Sequence, residues 1–341
     1  MNSASTLVLP PLSAIYSAAT RARLTAYRRG WLPVSKLSVP VISVGNLTTG
    51  GTGKTPLVEW VCRAVAGTSA ADGTREFSSP AIRVCVLTRG YGRANPSSQV
   101  VVSNATEILA DEQASGDEPY LLAKNLVGVA SVICNPDRFA AGKWAIENLG
   151  SEVFVLDDGF QHLRLARDLD IVTIDATNPW GGGRLLPYGR LREPLGGLTR
   201  ADCIVVTRSQ QSDDATSIKE AVERLAGGIP VFTSRMATSA IRALDGRMVG
   251  RENVPQPVAA FCGVGNPDSF FDHVRREGYA PAFTRSFPDH HHYKQSELDQ
   301  LVSDAQARGA KSLITTAKDA IKLSRSKLNL PCFVLEIQIS I

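Results

Sequence analysis

The order of apolar and polar positions predicts strands and helices that alternate along most of the chain. Short apolar segments typical of buried strands begin at Val41 and recur at residues 84–87, 127–133, 153–156, 171–174 and 204–206. Helical spacing of apolar residues lies between several of them, around Leu121, Ala140 and Val222. This alternation predicts a doubly wound, mostly parallel sheet that is covered by helices on both faces. Ligands of such sheets bind at the carboxyl ends of the strands.

The first predicted strand leads into a Gly-rich turn in the segment VISVGNLTTGGTGKT, residues 41–55. Backbone N–H groups of such a turn close around phosphate oxygens, and the following helix adds the positive end of its dipole. The pattern is that of a P-loop, although Thr48 stands where a glycine is usual. Lys54 suits the β and γ phosphates, and the Thr55 hydroxyl suits Mg²⁺. We predict nucleotide binding, rather than a purely structural turn, by Thr48, Thr49, Gly50, Gly51, Thr52, Gly53, Lys54 and Thr55.

The pattern changes after residue 230. Two short strands over residues 231–236 and 239–244, the turn Asp245-Gly246 and two nearby prolines indicate a linker. A second α/β run follows, with strands at 259–264, 282–286, 312–316 and 332–337 and helices at 268–276 and 296–307. We predict an N-terminal basic amphipathic helix over residues 1–32, a P-loop domain over 33–230, linker strands over 231–257 and a smaller α/β domain over 258–341. The segment 67–80, GTSAADGTREFSSP, is predicted to be an exposed loop.

Polar residues follow several predicted strands. Asp157 and Asp158 end the apolar run VFVL, where a second anchor for Mg²⁺ is expected, although both also suit a turn before Gly159. Gln161 and His162 come next and line the same cleft in this interpretation, with a purely structural histidine as the alternative. The segments TRGYGR and GDEPY add a pair of arginines and the carboxylates Asp117 and Glu118. From the residues alone, Asp117 is best explained as a helix N-cap.

A long Gly- and Pro-rich loop over residues 178–194 contains three arginines. Long ordered loops are usually functional and guanidinium groups suit phosphate, whereas the alternative is a solvated basic loop. The arginines are Arg184, Arg190 and Arg192.

Composition limits the possible functions. At 341 residues the chain exceeds one ordinary core, and 43% hydrophobic with 21% charged residues is typical of a soluble globular protein. A net charge of +4 without a basic and aromatic stripe disfavours nucleic-acid binding. Six cysteines without CxxC spacing indicate reduced core thiols in a cytosolic protein.

The three histidines at 290–292 disfavour a metal site because adjacent side chains point apart. His290 is better suited to orienting a carboxylate or carrying a proton.

The N-terminal segment is basic, since no acidic residue precedes Glu59. Residues 12–29 lack proline and glycine and place Leu12, Ile15 and Tyr16 on one helical face. The segment is too polar to span a bilayer and lacks the pattern of a signal peptide. It predicts either a helix on an anionic membrane surface or a helix packed on its own domain. Its basic residues are Arg21, Arg23, Arg28, Arg29 and Lys36.

Several motifs, in order and spacing, resemble the tetraacyldisaccharide 4'-kinases of lipid A biosynthesis. The motifs are VGNLTTGGTGKTP, TRGYGR, GDEPYLLA, NPDR, LDDGFQHLRLARDLDI, NPWGGGRLLPYGRLREP, ADCIVVTR, FCGVGNPDSF, FPDHHHY and TTAKDAIKL. The resemblance implies ATP- and Mg²⁺-dependent transfer of the γ-phosphoryl group to the 4'-hydroxyl of a tetraacylated glucosamine disaccharide 1-phosphate, which forms lipid IVA. It also implies a peripheral enzyme on the cytoplasmic face of the bacterial inner membrane.

Site residues follow from the resemblance. It implies Asp117 as the base that receives the hydroxyl proton, polarised by His290, with Lys54 on the triphosphate. The ligands of Mg²⁺ are expected to be Thr55 with Asp157 or Asp158. The substrate residues are expected to be Glu118, Arg138, Gln161, His162, Arg184, Arg190 and Arg192, with Arg89 and Arg93 as further candidates. Because Asp117 and His290 belong to different predicted domains, we expect domain closure to assemble the site.

Three alternatives remain open from the sequence. A membrane-associated ATPase of the partitioning type shares GGxGKT, but its signature lysine would stand at Thr49. A metal phosphoesterase is suggested by residues 289–291, and it would give the P-loop no purpose. A nucleotide-gated membrane adaptor without catalytic activity is the third alternative. Dependence of ATP turnover on an acylated sugar acceptor separates the kinase from all three.

Overall fold

A computed structural model describes residues 3–67, 82–212, 214–323 and 326–341 of the chain. Most of the loop predicted over residues 67–80 therefore lies outside the described residues. Within the described ranges no helix combines the length and apolarity needed to cross a bilayer.

The first half of the described chain forms an eight-stranded sheet with helices on both faces. Its strands are β1 (Val41–Asn46), β2 (Val84–Thr88), β3 (Val100–Ser103), β4 (Ala130–Cys134), β5 (Val153–Asp157), β6 (Leu169–Asp175), β7 (Cys203–Thr207) and β8 (Val231–Thr233). The strand order is β3-β4-β2-β5-β1-β6-β7-β8, and all neighbours are parallel except β3 and β4. The helices are α1 (Ser3–Arg28), α2 (Lys54–Val65), α3 (Glu112–Ser115), α4 (Asp117–Asn125), α5 (Arg138–Leu149) and α6 (Ala215–Ala226).

The second half of the described chain forms a smaller five-stranded sheet. Its strands are β9 (Arg235–Ala243), β10 (Val258–Cys262), β11 (Pro281–Ser286), β12 (Ser312–Thr316) and β13 (Cys332–Ser340), with helices α7 (Pro267–Arg276), α8 (Gln295–Ala307) and α9 (Ala317–Leu323). The strand order is β11-β10-β12-β13-β9, with β9 antiparallel to β13 and the other neighbours parallel. The predicted α/β class, with a large mostly parallel sheet and a second smaller one, is confirmed.

Several boundaries differ from the prediction. The strand expected over residues 127–133 begins at Ala130, because α4 ends at Asn125 and Gly128, with φ 81°, turns the chain first. Helix α1 lies within the 1–32 segment predicted as helical, and it begins well before the Pro-free run of residues 12–29 because it includes Pro10 and Pro11. The edge strand β3 and the short helix α9 were not predicted.

The predicted linker strands belong to the two sheets. Strand β8 pairs with β7 at the edge of the first sheet, and β9 pairs with β13 in the second sheet. Only Ser234 separates them, and it is buried, with its N–H donating to the Val206 carbonyl at 2.8 Å. The chain therefore crosses directly from one sheet to the other.

Each sheet has apolar cores on both faces, and Met236 of β9 and Ile339 of β13 extend the core that lies beneath α2. Fully buried core residues include Leu57 and Leu122 on one face of the first sheet and Phe154 and Leu165 on the opposite face. In the second sheet, Phe261 packs beneath α8. Five of the six cysteines are buried and Cys203 is half-buried, so they lie in the core as predicted.

The two sheets meet at the carboxyl ends of their parallel strands. The loop after β10 approaches the loop after β1 so closely that a Cβ atom on Gly265 would lie 2.7 Å from the Gly51 nitrogen. Asn266, in the same loop, donates to Asp175 at the end of β6 at 3.1 Å. The side chains that follow the strands of both sheets therefore face one shared cleft.

Candidate active site

The P-loop joins β1 to α2 as the sequence predicted. Gly50 and Gly53 have φ angles of 109° and 78°, a region that favours glycine, and Gly53 is the N-cap of α2. The Asn46 Nδ2 group donates to the Thr48 carbonyl at 2.7 Å and to Thr52 Oγ1 at 2.9 Å, and so fixes the loop from within. Sequence reasoning assigned no role to Asn46, although an amide at the end of a buried strand is an unusual polar position.

The Lys54 ammonium lies at the start of α2 between two oxygen acceptors. Its Nζ donates to Asn46 Oδ1 at 3.2 Å and lies 3.4 Å from Asp158 Oδ1. The other Asp158 oxygen accepts from Arg192 Nη1 at 2.6 Å. Burial alone would raise the pKa of Asp158, but Lys54 and Arg192 lower this pKa to about 2. Asp158 is therefore an ionised carboxylate that holds two cations of the cleft.

Asp157 has a different environment although it is the adjacent residue. It ends β5, is 6% exposed and accepts from Thr88 Oγ1 at 3.0 Å. Burial, with smaller contributions from Glu118 and Asp158, raises its pKa to about 6. Thr55, Asp157 and Asp158 line one cleft and offer the hard oxygen donors that Mg²⁺ prefers.

The described residues contain no cluster of three or more His, Cys, Asp or Glu side chains that could hold a metal ion. Mg²⁺ is usually bound by one or two carboxylates together with water and substrate phosphates, rather than by a cage of protein ligands. The donor set of the cleft therefore fits Mg²⁺ that arrives with a nucleotide.

Asp117 and His290 are in contact across the two halves of the chain. His290 Nδ1 lies 3.1 Å and 3.0 Å from the two carboxylate oxygens of Asp117. Asp117 is 8% exposed, and His290 has a φ of 61°, which is uncommon for a residue with a side chain. The pair that the resemblance implied is present, and the two residues are already together without further domain closure.

The residue-based interpretation of Asp117 as a helix cap is wrong. The N-cap of α4 is Gly116, with φ 90°, and Asp117 is the first helical residue. Only glycine fits at position 116, because an added Cβ atom would lie 2.5 Å from the Tyr91 carbonyl oxygen. The Asp117 side chain is therefore free to reach His290.

Two lysines of α9 complete this cluster. Lys318 Nζ lies 2.9 Å from Glu118 Oε1, 3.1 Å from Asp289 Oδ1 and 3.2 Å from His290 Nε2. Lys322 Nζ lies 2.9 Å from Asp117 Oδ2. The motif TTAKDAIKL alone does not indicate a role for these lysines, since residues about 200 positions apart meet here only through the tertiary fold.

Electrostatic interactions shift the pKa values of Asp117 and His290 in opposite directions. Burial alone would raise the pKa of Asp117, but His290, Lys318 and Lys322 lower it well below its usual range. The hydrogen bond to Asp117 raises the pKa of His290 above its ordinary value, against the opposing effects of burial and of Lys318. Asp117 is therefore a carboxylate across the physiological pH range.

Two clefts meet beside the P-loop. The first, of about 890 Å³ and here called the P-loop cleft, is lined by the P-loop, the ends of β2 and β5, Glu118 and His290. The second, of about 860 Å³ and here called the α1 cleft, lies between α1 and the first sheet and includes Gln161 and His162. Residues that line both clefts are Arg89, Tyr91, Arg138, Asp158 and Arg192.

The arginines expected to bind substrate occupy different positions. Arg138 is 4% exposed, and its Nε atom is buried without a hydrogen-bond partner. Arg190 lines neither of the two clefts; its side chain lies beside Gly50 and donates to the Gly265 carbonyl at 3.3 Å. Arg184 is exposed, stacks on Tyr188 and lines neither of the two clefts. Arg93 is buried and donates to the Ser98 and Pro96 carbonyls.

Gln161 and His162 lie in the α1 cleft. The Gln161 amide donates to the Asn46 carbonyl and to Glu193 Oε1, both at 2.8 Å, which ties this cleft to the P-loop. Burial, Arg138 and Arg167 lower the pKa of His162 to about 4, so this imidazole is neutral at physiological pH.

Helix α1 packs against the loops of the site through polar contacts. Tyr16 donates to the Arg192 carbonyl at 2.8 Å, and Arg23 donates to the Gln161 carbonyl at 3.1 Å. On other parts of its surface, Leu12 is 46% exposed and Ile15 is 66% exposed. The helix thus contacts its own domain and still has apolar side chains in solvent.

Comparisons with known proteins agree on one family. The sequence profile described as "Tetraacyldisaccharide-1-P 4'-kinase" (LpxK) matches residues 5–341. A tetraacyldisaccharide 4'-kinase of Geobacter metallireducens is 41% identical, covering 93% of this chain and 88% of that protein. One from Desulfotalea psychrophila is 33% identical, covering 95% and 89%. The crystal structure of LpxK from Aquifex aeolicus in complex with ATP has a TM-score of 0.72 and 32% identity, covering 97% of this chain and 93% of that one. The chain belongs to the tetraacyldisaccharide 4'-kinase family.

Proposed function

We propose that this protein uses ATP to phosphorylate the 4'-hydroxyl of tetraacyldisaccharide 1-phosphate. The observation that carries the proposal is the contact between Asp117 and His290, because His290 lines the same cleft as the P-loop lysine and that cleft shares lining residues with the α1 cleft. Membership in the kinase family supports the reaction, and the ATP complex of the Aquifex aeolicus relative supports the nucleotide. The relatives are kinases, which disfavours a partitioning ATPase.

The P-loop cleft is suited to the triphosphate. The amides of residues 50–53 and Lys54 would hold the β and γ phosphates. Thr55 and Asp157 would hold Mg²⁺, because Thr88 binds one oxygen of Asp157 and leaves the other for the ion. Asp158 would keep Lys54 and Arg192 in position. When bound, Mg²⁺ neutralises part of the charge that develops on the phosphate oxygens.

Asp117 is suited to receive the proton of the acceptor hydroxyl. As the new bond forms between the 4'-oxygen and the γ-phosphorus, the O–H bond breaks and its proton passes to the Asp117 carboxylate. The bond from the γ-phosphorus to the bridging oxygen breaks, and its electron pair leaves with ADP. His290 orients the carboxylate through Nδ1 and stabilises its charge before transfer.

The α1 cleft is suited to the sugar phosphate. Its polar lining includes Gln161 and the neutral His162, which are able to hydrogen-bond sugar hydroxyls. The buried Nε of Arg138, at the junction of the two clefts, has a donor left for an anion. Guanidinium groups match phosphate geometry, so Arg138 and Arg192 are the arginines that we propose for the migrating phosphoryl group or the substrate phosphate.

We also propose that α1 lies on an anionic membrane surface at the cytoplasmic face of the inner membrane. Three arginines, Arg21, Arg28 and Arg29, are exposed, and Trp31 is 68% exposed just after the helix. Basic residues near an anionic bilayer each contribute about 1 kcal/mol, and exposed apolar side chains add burial in the interface. A family whose substrate carries four acyl chains needs access to such a surface.

The experiment is a transfer assay with purified protein, ATP, Mg²⁺ and tetraacyldisaccharide 1-phosphate in mixed micelles. Mass spectrometry of the lipid is expected to show one added phosphoryl group. Asp117→Asn is expected to reduce kcat by about 10²- to 10⁴-fold with ATP binding retained, because the amide does not accept the hydroxyl proton. Thermal unfolding checks the fold of this variant, since it also leaves the buried Lys322 without its carboxylate partner. The exposed Asp299→Asn is the matched control and is expected to keep wild-type activity. ATP hydrolysis without lipid phosphorylation, or a fully active Asp117→Asn, would contradict the proposal.

A further inference from the structure

We infer that Lys322 is a positioning residue that sets the basicity of Asp117, while Lys318 holds His290 as the tautomer that donates to Asp117. The inference rests on the proposed function, because it concerns the group that receives the hydroxyl proton. It assigns a role to two lysines of α9 that touch the Asp117–His290 pair.

Lys322 contacts Asp117 from the side of the second sheet. Its Nζ lies 2.9 Å from Asp117 Oδ2, and the side chains of Lys322 and Asp117 are 7% and 9% exposed. A buried ammonium requires an anionic partner, and Asp117 is the ion-pair partner of Lys322 among the described residues. The same carboxylate therefore neutralises a buried lysine and accepts a hydrogen bond from His290.

Lys318 fixes the direction of the hydrogen bond between His290 and Asp117. An ammonium has only donors, so the contact between Lys318 Nζ and His290 Nε2 at 3.2 Å requires Nε2 to accept. In a neutral imidazole the proton then lies on Nδ1, where it is donated to Asp117 at 3.0 Å. Glu118 and Asp289 hold the Lys318 ammonium in this place.

Opposing charges surround both members of the pair. Asp117 faces His290, Lys318 and Lys322, and Glu118 is its neighbour in the chain. His290 faces Asp117, Glu118, Asp289 and Lys318. Cations within about 4–6 Å of a carboxylate lower its pKa by about 1–3 units, so two lysines keep Asp117 ionised but weakly basic. Lys318 also opposes the protonation of His290 that Asp117 and Glu118 favour.

Helix α9, which carries both lysines, is held in place by the hydrogen bonds of Asp319. Asp319, which is fully buried, accepts from the Gly263 amide at 3.0 Å and 3.1 Å, from Tyr293 at 2.9 Å and from Thr316 at 2.7 Å. These bonds join the ends of β10 and β12 to the loop after β11, residues 287–294, here called the histidine loop. The lysines therefore keep a fixed position relative to His290.

The test is a pH titration of Asp117, followed by ¹³C NMR of its carboxyl carbon, beside kcat in the transfer assay. Lys322→Gln removes the charge, and the pKa of the Asp117 carboxyl is expected to rise by about 1–3. Lys322→Arg keeps the charge and is expected to retain the wild-type titration. Lys327→Gln, an exposed lysine beyond α9, is the matched control and is expected to change nothing. Thermal unfolding and ATP binding monitor the folded state of each variant.

Two results would overturn the inference. One is a Lys322→Gln variant that loses activity while the titration of Asp117 is unmoved, since a merely structural lysine behaves in this way. The other is a neutral His290 imidazole whose proton lies on Nε2 instead of Nδ1, measured by ¹⁵N NMR of the wild-type chain at a pH above the pKa of that imidazole. The ¹⁵N NMR measurement needs no variant to fold and no activity. If the wild-type protein transfers no phosphoryl group at all, the proposed function fails while the tautomer of His290 is still measured.

Discussion

Neighbouring carboxylates in the P-loop cleft differ in pKa because their surroundings differ. Burial, with smaller contributions from Glu118 and Asp158, raises the pKa of Asp157 to about 6, whereas Lys54 and Arg192 lower the pKa of Asp158 to about 2. Asp158 and His290 both have positive φ angles, at 55° and 61°. Backbone strain of this kind clusters at functional sites, where the surrounding structure maintains it.

Glu59 on α2 supplies a prediction about stability and pH. Burial raises its pKa to about 7, against hydrogen bonding from Asn125 and the charge of Arg63. In the unfolded chain its pKa is near 4.5. The folded state therefore binds more protons between pH 4.5 and 7, and the stability contributed by Glu59 falls as the pH rises through this window. Glu59→Gln keeps the acceptor for Asn125 and is expected to be more stable than wild type at pH 8, by on the order of 1–3 kcal/mol.

Urea unfolding at pH 4.5 and pH 8 measures this difference. The stabilisation by Glu59→Gln is expected at pH 8 and is expected to vanish at pH 4.5. The exposed Glu147→Gln on α5 is the control and is expected to leave the pH dependence of stability unchanged. Equal effects of Glu59→Gln at both pH values would contradict the assignment.

At the scale of elements, the site is made from the residues that follow strands. Strand β1 leads into the P-loop, β5 ends in Asp157, and the histidine loop follows β11. Helix α1 is an exception, because it covers the α1 cleft from outside the sheet. Its Pro10 and Pro11 are exposed, so the helix continues through both with their rings in solvent.

Binding to vesicles tests the proposed membrane contact of α1. Replacing Arg21, Arg28 and Arg29 with glutamine is expected to weaken binding to anionic vesicles by roughly 100-fold, at about 1 kcal/mol for each charge. Binding to neutral vesicles is expected to change little. The control replaces three exposed arginines of other elements, Arg224, Arg247 and Arg275. Equal losses in both triple variants would indicate a net-charge effect and contradict a specific role of α1.

At the scale of the whole molecule, the two sheets present their strand ends to each other. Gly265 of the second half lies against Gly51, and Arg208 donates to the Gly51 carbonyl at 2.8 Å from the end of β7. The P-loop is therefore enclosed by both halves, and the Asp117–His290 pair lies across the same boundary. Gln161 and His162, which we propose to bind the substrate, belong to the first half alone.

The fold was largely predictable because most strands are apolar runs bounded by turn residues. Strand β3, with the sequence VVVS, is a four-residue edge strand, and α9 begins directly after β12, so neither had a boundary signal. The crossing of the chain from the first sheet to the second at Ser234 was not predictable either. The apolar pattern alone does not distinguish one continuous extended segment from strands that belong to two sheets.

The site was predictable only where its parts are local. The P-loop and the pair Asp157 and Asp158 follow from spacing along one strand and one turn. The contact between Asp117 and His290 joins residues 173 positions apart, and only the family resemblance indicated it before the structure. Lys318 and Lys322 gave no local signal, because lysines on a short helix are usually solvated.

A double-mutant cycle on Asp117 and His290 tests most directly whether the two halves form one catalytic unit. The measurement is kcat/KM for lipid phosphorylation in wild type, Asp117→Ala, His290→Ala and the double variant. We predict a coupling of about 1–3 kcal/mol, with the double variant little worse than Asp117→Ala, because His290 acts through the carboxylate. Losses that add to within about 0.5 kcal/mol would mean that the residues act independently and would contradict a site built across the two sheets.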